Sequence, residues 1–349
     1  MQPFALMIAK RDTSQWIEKL LESAEVIAPV RGPCGDVVFS TVRSPSQVLW
    51  SFENPLHPPK QFVLPQTDPL VEIKHTDGRH EVWPVYDDAR RVLFNLRSCD
   101  AKGIAFLTRM HEAEPADDSY LRRAHNLTII SLACTTPCPL GFCVCSDSGP
   151  FLRGDYDVQL TDLGEGYLAE VNTEKGEAAV SGAPDLFRHA SDAEVSQREK
   201  LEAEARKHFG KETCHFASAM RRISTGRVPE ALWEQMGDWC LECGGCNLIC
   251  PTCYCFSVKD LACNGGWARC RLWDSCQYAA FTLEASGHNP RENRGQRMKR
   301  RFFHKVSAQY YLRDGMVGCV GCGRCVKVCL GATHMPAVVA AVRKGKWHE

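Results

Sequence analysis

Two runs of four cysteines restrict the folds open to this chain more than any other feature. The first is Cys240-Leu-Glu-Cys243-Gly-Gly-Cys246-Asn-Leu-Ile-Cys250, followed by Pro251. The second is Cys319-Val-Gly-Cys322-Gly-Arg-Cys325-Val-Lys-Val-Cys329, followed by Leu330. Both follow C-x2-C-x2-C-x3-C, the spacing of two-cluster ferredoxins. Three thiolates two residues apart lie on a tight loop that can wrap a 4Fe–4S cube. Gly244, Gly245 and Gly323 let backbone N–H groups approach its sulfurs. The fourth cysteine falls on the helix leaving the loop and faces the other cube. One cluster is therefore assigned to Cys240, Cys243, Cys246 and Cys329, and the other to Cys319, Cys322, Cys325 and Cys250. Structural zinc is the competing interpretation, but it usually takes two C-x2-C pairs separated by a longer loop.

The compartment decides how the remaining cysteines are read, since the chain has 20 of them in 349 residues. The opening MQPFALMIAKRDTSQW has no basic start, long apolar run and small-residue cleavage site, so it does not read as a secretory signal. No stretch reaches the roughly 18 apolar residues of a membrane span. A cytoplasmic protein is expected, in which dense cysteine means metal rather than disulfides. Formal net charge is zero, which argues against bulk attraction to nucleic acid or an anionic membrane.

The pattern predicts an α+β protein: a mixed α/β domain over residues 1–190, a helical connector over 191–229, and an all-helical dicluster ferredoxin-type domain over 230–349. Trp16, Ile17, Leu20 and Leu21 lie at helical spacing. Glu25–Val30, Leu70–Lys74, Val82–Tyr86, Val92–Leu96 and Leu127–Leu132 read as strands, and Tyr156–Leu163 with Tyr167–Asn172 as a strand pair. Ala193–Lys207 is charged and helical. The long stretch between Cys250 and Cys319 is expected to be a helical insert.

A second cysteine group spans Cys99 to Cys145. Cys99 and Cys134 each follow a predicted strand, and Cys143-Val-Cys145 forms a loop beside them. A third 4Fe–4S cluster is expected on Cys99, Cys134, Cys143 and Cys145, with Cys138 as a candidate replacement for one of them and Asp100 as a candidate non-cysteine ligand. Zinc or plain buried thiols are the alternative. Cys253, Cys255 and Cys276 are expected to pack around the clusters, and Cys34, Cys214, Cys263 and Cys270 to be structural. The basic run Arg291–Lys305 is expected to offset negative cluster charge or dock an acidic partner, with Phe302 and Phe303 in the core. No dinucleotide fingerprint, phosphate loop, nickel-binding cysteine pattern or nucleophile–base pair is evident. No catalytic residue is assigned, and bond-making chemistry is expected on another subunit.

Further motifs extend the pattern over most of the chain. They are CNLICPTCYCF (Cys246 to Phe256), RLWDSC (Arg271 to Cys276), Phe281-Thr282 and GHNPR (Gly287 to Arg291) in the second half. In the first half they are Pro59-Lys60-Gln61-Phe62 with Leu64-Pro65-Gln66, Arg97-Ser98-Cys99-Asp100, Cys143-Val-Cys145 and YDVQLTDL (Tyr156 to Leu163). In this order they resemble the β subunits of cytoplasmic sulfhydrogenase-type nickel–iron hydrogenases, and the A subunits of anaerobic sulfite reductases. The resemblance implies a subunit that passes electrons between a flavin-containing NAD(P)H subunit and a catalytic one, either a nickel–iron hydrogenase or a siroheme reductase. A rival from another class gives the first-domain cluster an open position and a catalytic role; a zinc-bound regulatory module is the third.

Overall fold

The structure, a computed structural model, describes residues 4–209, 214–263 and 265–347, with Thr76 described by its backbone only. The first half contains β1 (Phe4–Ala9), α1 (Thr13–Ser23), β2 (Glu25–Arg31), β3 (Val37–Thr41), β4 (Thr67–Thr76), β5 (Arg79–Pro84), β6 (Arg91–Arg97), α2 (Ser98–Glu112), α3 (Asp118–His125), β7 (Leu127–Leu132), β8 (Val158–Asp162), β9 (Gly166–Val171), α4 (Glu174–Ser181) and β10 (Phe187–His189). The second half contains α5 (Asp192–His208), α6 (Phe216–Ser224), α7 (Glu230–Asp238), α8 (Gly245–Leu248), β11 (Phe256–Cys263), β12 (Gly266–Trp273), α9 (Arg294–Val306), α10 (Ala308–Asp314), α11 (Arg324–Val328) and α12 (Met335–Lys344).

One eight-stranded sheet organises the first half, in the order β10-β1-β9-β8-β7-β6-β2-β3. Strands β2, β6, β7 and β8 run parallel to one another, while β2 pairs antiparallel with β3 and β8 antiparallel with β9, with Leu160 opposite Ala169. Val92, Leu93, Phe94 and Leu96 of β6 are all buried, the near-continuous apolar run of a strand covered on both faces. Asn95 interrupts it at φ 60°, where the β6–β7 register shifts, and donates from Nδ2 to the Leu49 carbonyl at 2.7 Å. Because β6 and β7 are parallel neighbours, their C-terminal ends lie side by side, with Arg97 opposite Leu132. Cys99 and Cys134 follow those ends and so reach the same edge of the sheet, where such folds place their sites.

The expected all-helical C-terminal domain is corrected by the structure. Strands β11 and β12 form an antiparallel hairpin inside the supposed helical insert and extend β4 and β5 into a second sheet, in the order β11-β12-β4-β5. The overall α+β class stands. The hairpin is held by pairing with a segment far away in sequence. Arg271 of β12 bonds Asp68 at 2.6 Å and also reaches Asp117, and Arg123 bonds the same Asp68 at 2.7 Å. These charges are buried and mutually paired, the condition under which buried ions are tolerated.

The remaining second-half helices share a core. Phe216, Ala219 and Ile223 of α6 pack with Trp233 and Met236 of α7, Met298 and Phe302 of α9, and Val338, Val339 and Val342 of α12. Burying a side chain such as Phe302 contributes about 1.5–3 kcal/mol. Helix α9 begins with a capping box between Asn293 and Gln296. Among the described residues no helix is long and apolar enough to cross a membrane.

Candidate metal centres

Each four-cysteine run folds into a loop with a left-handed residue at matching places: Glu242 (φ 55°) and Gly244 (φ 70°) in the first, Gly321 (φ 61°) and Gly323 (φ 77°) in the second. The short helices α8 and α11 follow and pack on each other, which places the cysteine after each helix toward the opposite loop. One cavity is lined by Cys240, Cys243 and Cys246 from the first run and Cys329 from the second, together with Gln277, Gly331 and Thr333. In the second group Cys319, Cys322 and Cys325 all interact electrostatically with Cys250. Burial pushes the Cys246 and Cys322 thiols up to about 12. A bound metal must therefore supply the free energy that deprotonates them.

Buried cations test whether an anionic group belongs here. Arg297, Arg301 and Lys305 recur every four residues along α9 and form one buried stripe. Lys305 Nζ lies 3.4 Å from Cys250 Sγ, 3.0 Å from Thr252 Oγ1 and 2.8 Å from the Gly318 carbonyl. Burial opposes its charge, yet the neighbouring sulfurs of Cys250, Cys253 and Cys319 outweigh burial and hold its pKa above the ordinary lysine value. Arg301 is likewise opposed by burial and raised by Cys246, Cys325, Cys253 and Cys276. Its Nη1 donates to the Thr333 carbonyl at 3.2 Å, while its buried Nε has no partner. Among the described residues neither cation pairs with a carboxylate. Two buried cations set among thiols of both motifs, one with an orphaned donor, fit a pair of anionic 4Fe–4S clusters.

The first-domain cysteines divide. Cys143 interacts with Cys134 and Cys138, Cys138 with Cys134, and Cys99 with both Cys143 and Cys322. Asn54 Nδ2 lies 3.5 Å from Cys99 Sγ. Gly149 leaves room beside Cys143, since a Cβ there would lie 3.2 Å from both Cys143 Sγ and Ser98 Cβ. Cys145 packs instead against the core of the second half. Asp100, the candidate non-cysteine ligand, gives both carboxylate oxygens to Arg324 at 2.6 and 2.9 Å.

The 138–143 loop also covers the second motif. Phe142 N–H donates to the Gly321 carbonyl at 2.7 Å, and a Cβ on Gly323 would lie 2.3 Å from the Leu140 carbonyl oxygen. Cys138 and Cys322 line a common cleft with Arg324. The three thiol groups therefore form a row, with the second-motif group in the middle.

Cys253, Cys255 and Cys276 lie among these groups. Asn247 Nδ2 donates to Cys276 Sγ at 3.0 Å. A hydrogen bond from Cys255, with help from Gln277 and Asn247, lowers the Cys276 thiol against the effect of burial. Lys60, from the Pro59–Phe62 motif, is buried with Nζ 2.9 Å from the Cys253 carbonyl and 4.2 Å from the Trp273 ring centre. Its part in the site was not foreseen; the signal was a lysine in the middle of a proline-rich loop.

This arrangement defines an iron–sulfur electron-transfer protein built on a two-cluster domain, and the family of the 4Fe-4S dicluster domain matches residues 239–333. Outside that segment the likeness continues. The chain is 30% identical over 335 residues to sulfhydrogenase 2 subunit beta of Pyrococcus furiosus, covering 95% of this chain and 96% of that one. It belongs to the sulfhydrogenase beta-subunit family.

Proposed function

We propose that this chain relays electrons between a flavin-containing NAD(P)H subunit and a catalytic nickel–iron hydrogenase subunit in a cytoplasmic complex, using three 4Fe–4S clusters. The observation that carries the proposal is the row of three thiol groups inside a chain similar throughout its length to a sulfhydrogenase β subunit. The proposed ligands are Cys240, Cys243, Cys246 and Cys329 at the first site and Cys250, Cys319, Cys322 and Cys325 at the second. At the third they are Cys99, Cys134, Cys138 and Cys143, with Cys138 in the place first expected for Cys145.

A bound 4Fe–4S cube supplies a one-electron donor and acceptor whose potential follows charge, hydrogen bonding and exposure. The chain's own residues set those conditions. The loop glycines bring backbone donors close, Lys305 and Arg301 place positive charge beside Cys250 and Cys246, and the 138–143 loop covers one side of Cys322.

The native complex, purified anaerobically by a tag on this chain, tests the proposal. NAD(P)H and hydrogen should each reduce the paramagnetic centres of this chain, and nickel and flavin should co-purify in fixed ratio. Co-purification of siroheme in place of nickel would reassign the terminal enzyme. Centres that neither reductant reaches would remove the relay.

A further inference from the structure

The two cysteine loops match in cysteine spacing and in the positions of their left-handed residues, yet only one is covered. Val320 of the second loop is 1% exposed, while its counterpart Leu241 is 60% exposed. Cys322 is partly buried beneath the 138–143 loop; its counterpart Cys243 is exposed. Pro251, after the first run, is buried against Gly103 of α2, where a glycine Cβ would come within 2.6 Å of the proline Cβ. Its counterpart Leu330 is 89% exposed. The molecule therefore displays what covers such a loop when it is covered: a segment that brings further metal-binding groups against it.

We propose that the surface over Cys243, bounded by Leu241 and Leu330, is the docking face for a second redox subunit, whose electron carrier stands there as the 134–143 cysteine segment stands at the second loop. This rests on the relay reading above and names where the row of sites meets a partner. Two leucines beside an exposed cluster ligand would exclude water from the junction once covered. The rim adds a charge requirement. A hollow beside this loop is lined by Glu234, Asp238, Glu242 and Glu292 with Arg294 and Arg297. Both arginines are taken by Glu242, at 2.7 and 2.5 Å. Glu234, Asp238 and Glu292 are exposed, so the partner is basic where it meets them.

The test uses the intact complex with the double variant Leu241→Glu/Leu330→Glu. Iron content and the signal of the dithionite-reduced chain should stay unchanged. Electron delivery between this chain and the rest of the complex, read as the initial rate of centre reduction by NAD(P)H or by hydrogen, should fall at least about tenfold with one of the two donors. Trp83→Glu, on the exposed four-stranded sheet, serves as a surface control and should change neither rate. A photo-crosslinker replacing Leu330 should join this chain to a cofactor-bearing subunit. Unchanged rates with both donors, or a crosslink to a second copy of this chain, would overturn the inference. A parent chain lacking iron would instead remove the relay reading, so the two failures are distinct.

Discussion

Arg324 and Asp100 are joined by two hydrogen bonds, of 2.6 and 2.9 Å, at a place where neither side chain reaches solvent. Arg324 belongs to the second cysteine run and Asp100 directly follows Cys99, so the pair locks the first-domain cysteine group onto the ferredoxin-type loop. Arg324 also donates to the Pro55 carbonyl at 2.7 Å and to Asn54 Oδ1 at 2.8 Å. Removing one partner leaves a buried charge uncompensated. Asp100→Ala is expected to cost about 3–5 kcal/mol in anaerobic denaturant unfolding, and Asp100→Ala/Arg324→Leu distinctly less than the sum of its single variants.

Cys138 and Cys145 separate two accounts of the first-domain site. Cys138→Ser is expected to lower iron from about twelve to about eight per chain, whereas Cys145→Ser should leave the count unchanged. Metal analysis of the two anaerobically purified variants decides it, and the reverse result would restore Cys145 as the ligand.

Lys305 has Nζ 3.4 Å from Cys250 Sγ and no carboxylate to share its charge among the described residues. Lys305→Met removes a cation beside the second site, which favours the less negative, oxidised state of a cluster bound there. Its midpoint potential should fall, on the order of 100 mV, while Lys305→Arg should recover most of the loss. Potentiometric titration followed by EPR reads both variants.

Two histidines should make stability depend on pH. His111 stacks on Tyr120 with ring centres 4.0 Å apart, and burial, aided by Arg271 and Arg123, lowers its pKa. His304 is lowered to about 3 by burial, Lys305, Arg300 and Arg313. Both are neutral when folded and take up protons more readily when unfolded, near the ordinary value of about 6.5. Stability is therefore full above that value and declines as pH falls below it. Between pH 7.5 and 5.5 the loss should be about 1 kcal/mol for His304, and His304→Gln should flatten that slope in thermal unfolding.

The cysteine runs were legible because ligand spacing is a local property: four thiols and two glycines specify a loop wherever it sits. The strands of the main sheet were legible for a similar reason, since Val92–Leu96 and Leu127–Leu132 carry the apolar runs of buried parallel strands. The β11–β12 hairpin was missed although Asn264-Gly265 supplies a strong turn signal. Its flanks, with Lys259, Asp260, Arg269 and Arg271, lack clean alternation, and pairing with β4 together with the Asp68–Arg271 contact holds them extended. The Cys138–Cys145 distinction depends on which way a loop turns after β7, set by the bond from Phe142 N–H to Gly321, which lies far along the chain. The difference in cover between the two motifs is tertiary too, although Leu330 in the place of Pro251 was its one trace in sequence.

Iron and acid-labile sulfide, measured on the anaerobically purified chain together with its EPR spectrum before and after dithionite, test the central claim most directly. The account predicts iron and sulfide in equal amounts, about twelve of each per chain, with interacting paramagnetic centres appearing on reduction. A colourless chain that holds zinc, or one without acid-labile sulfide and silent after dithionite, would contradict it.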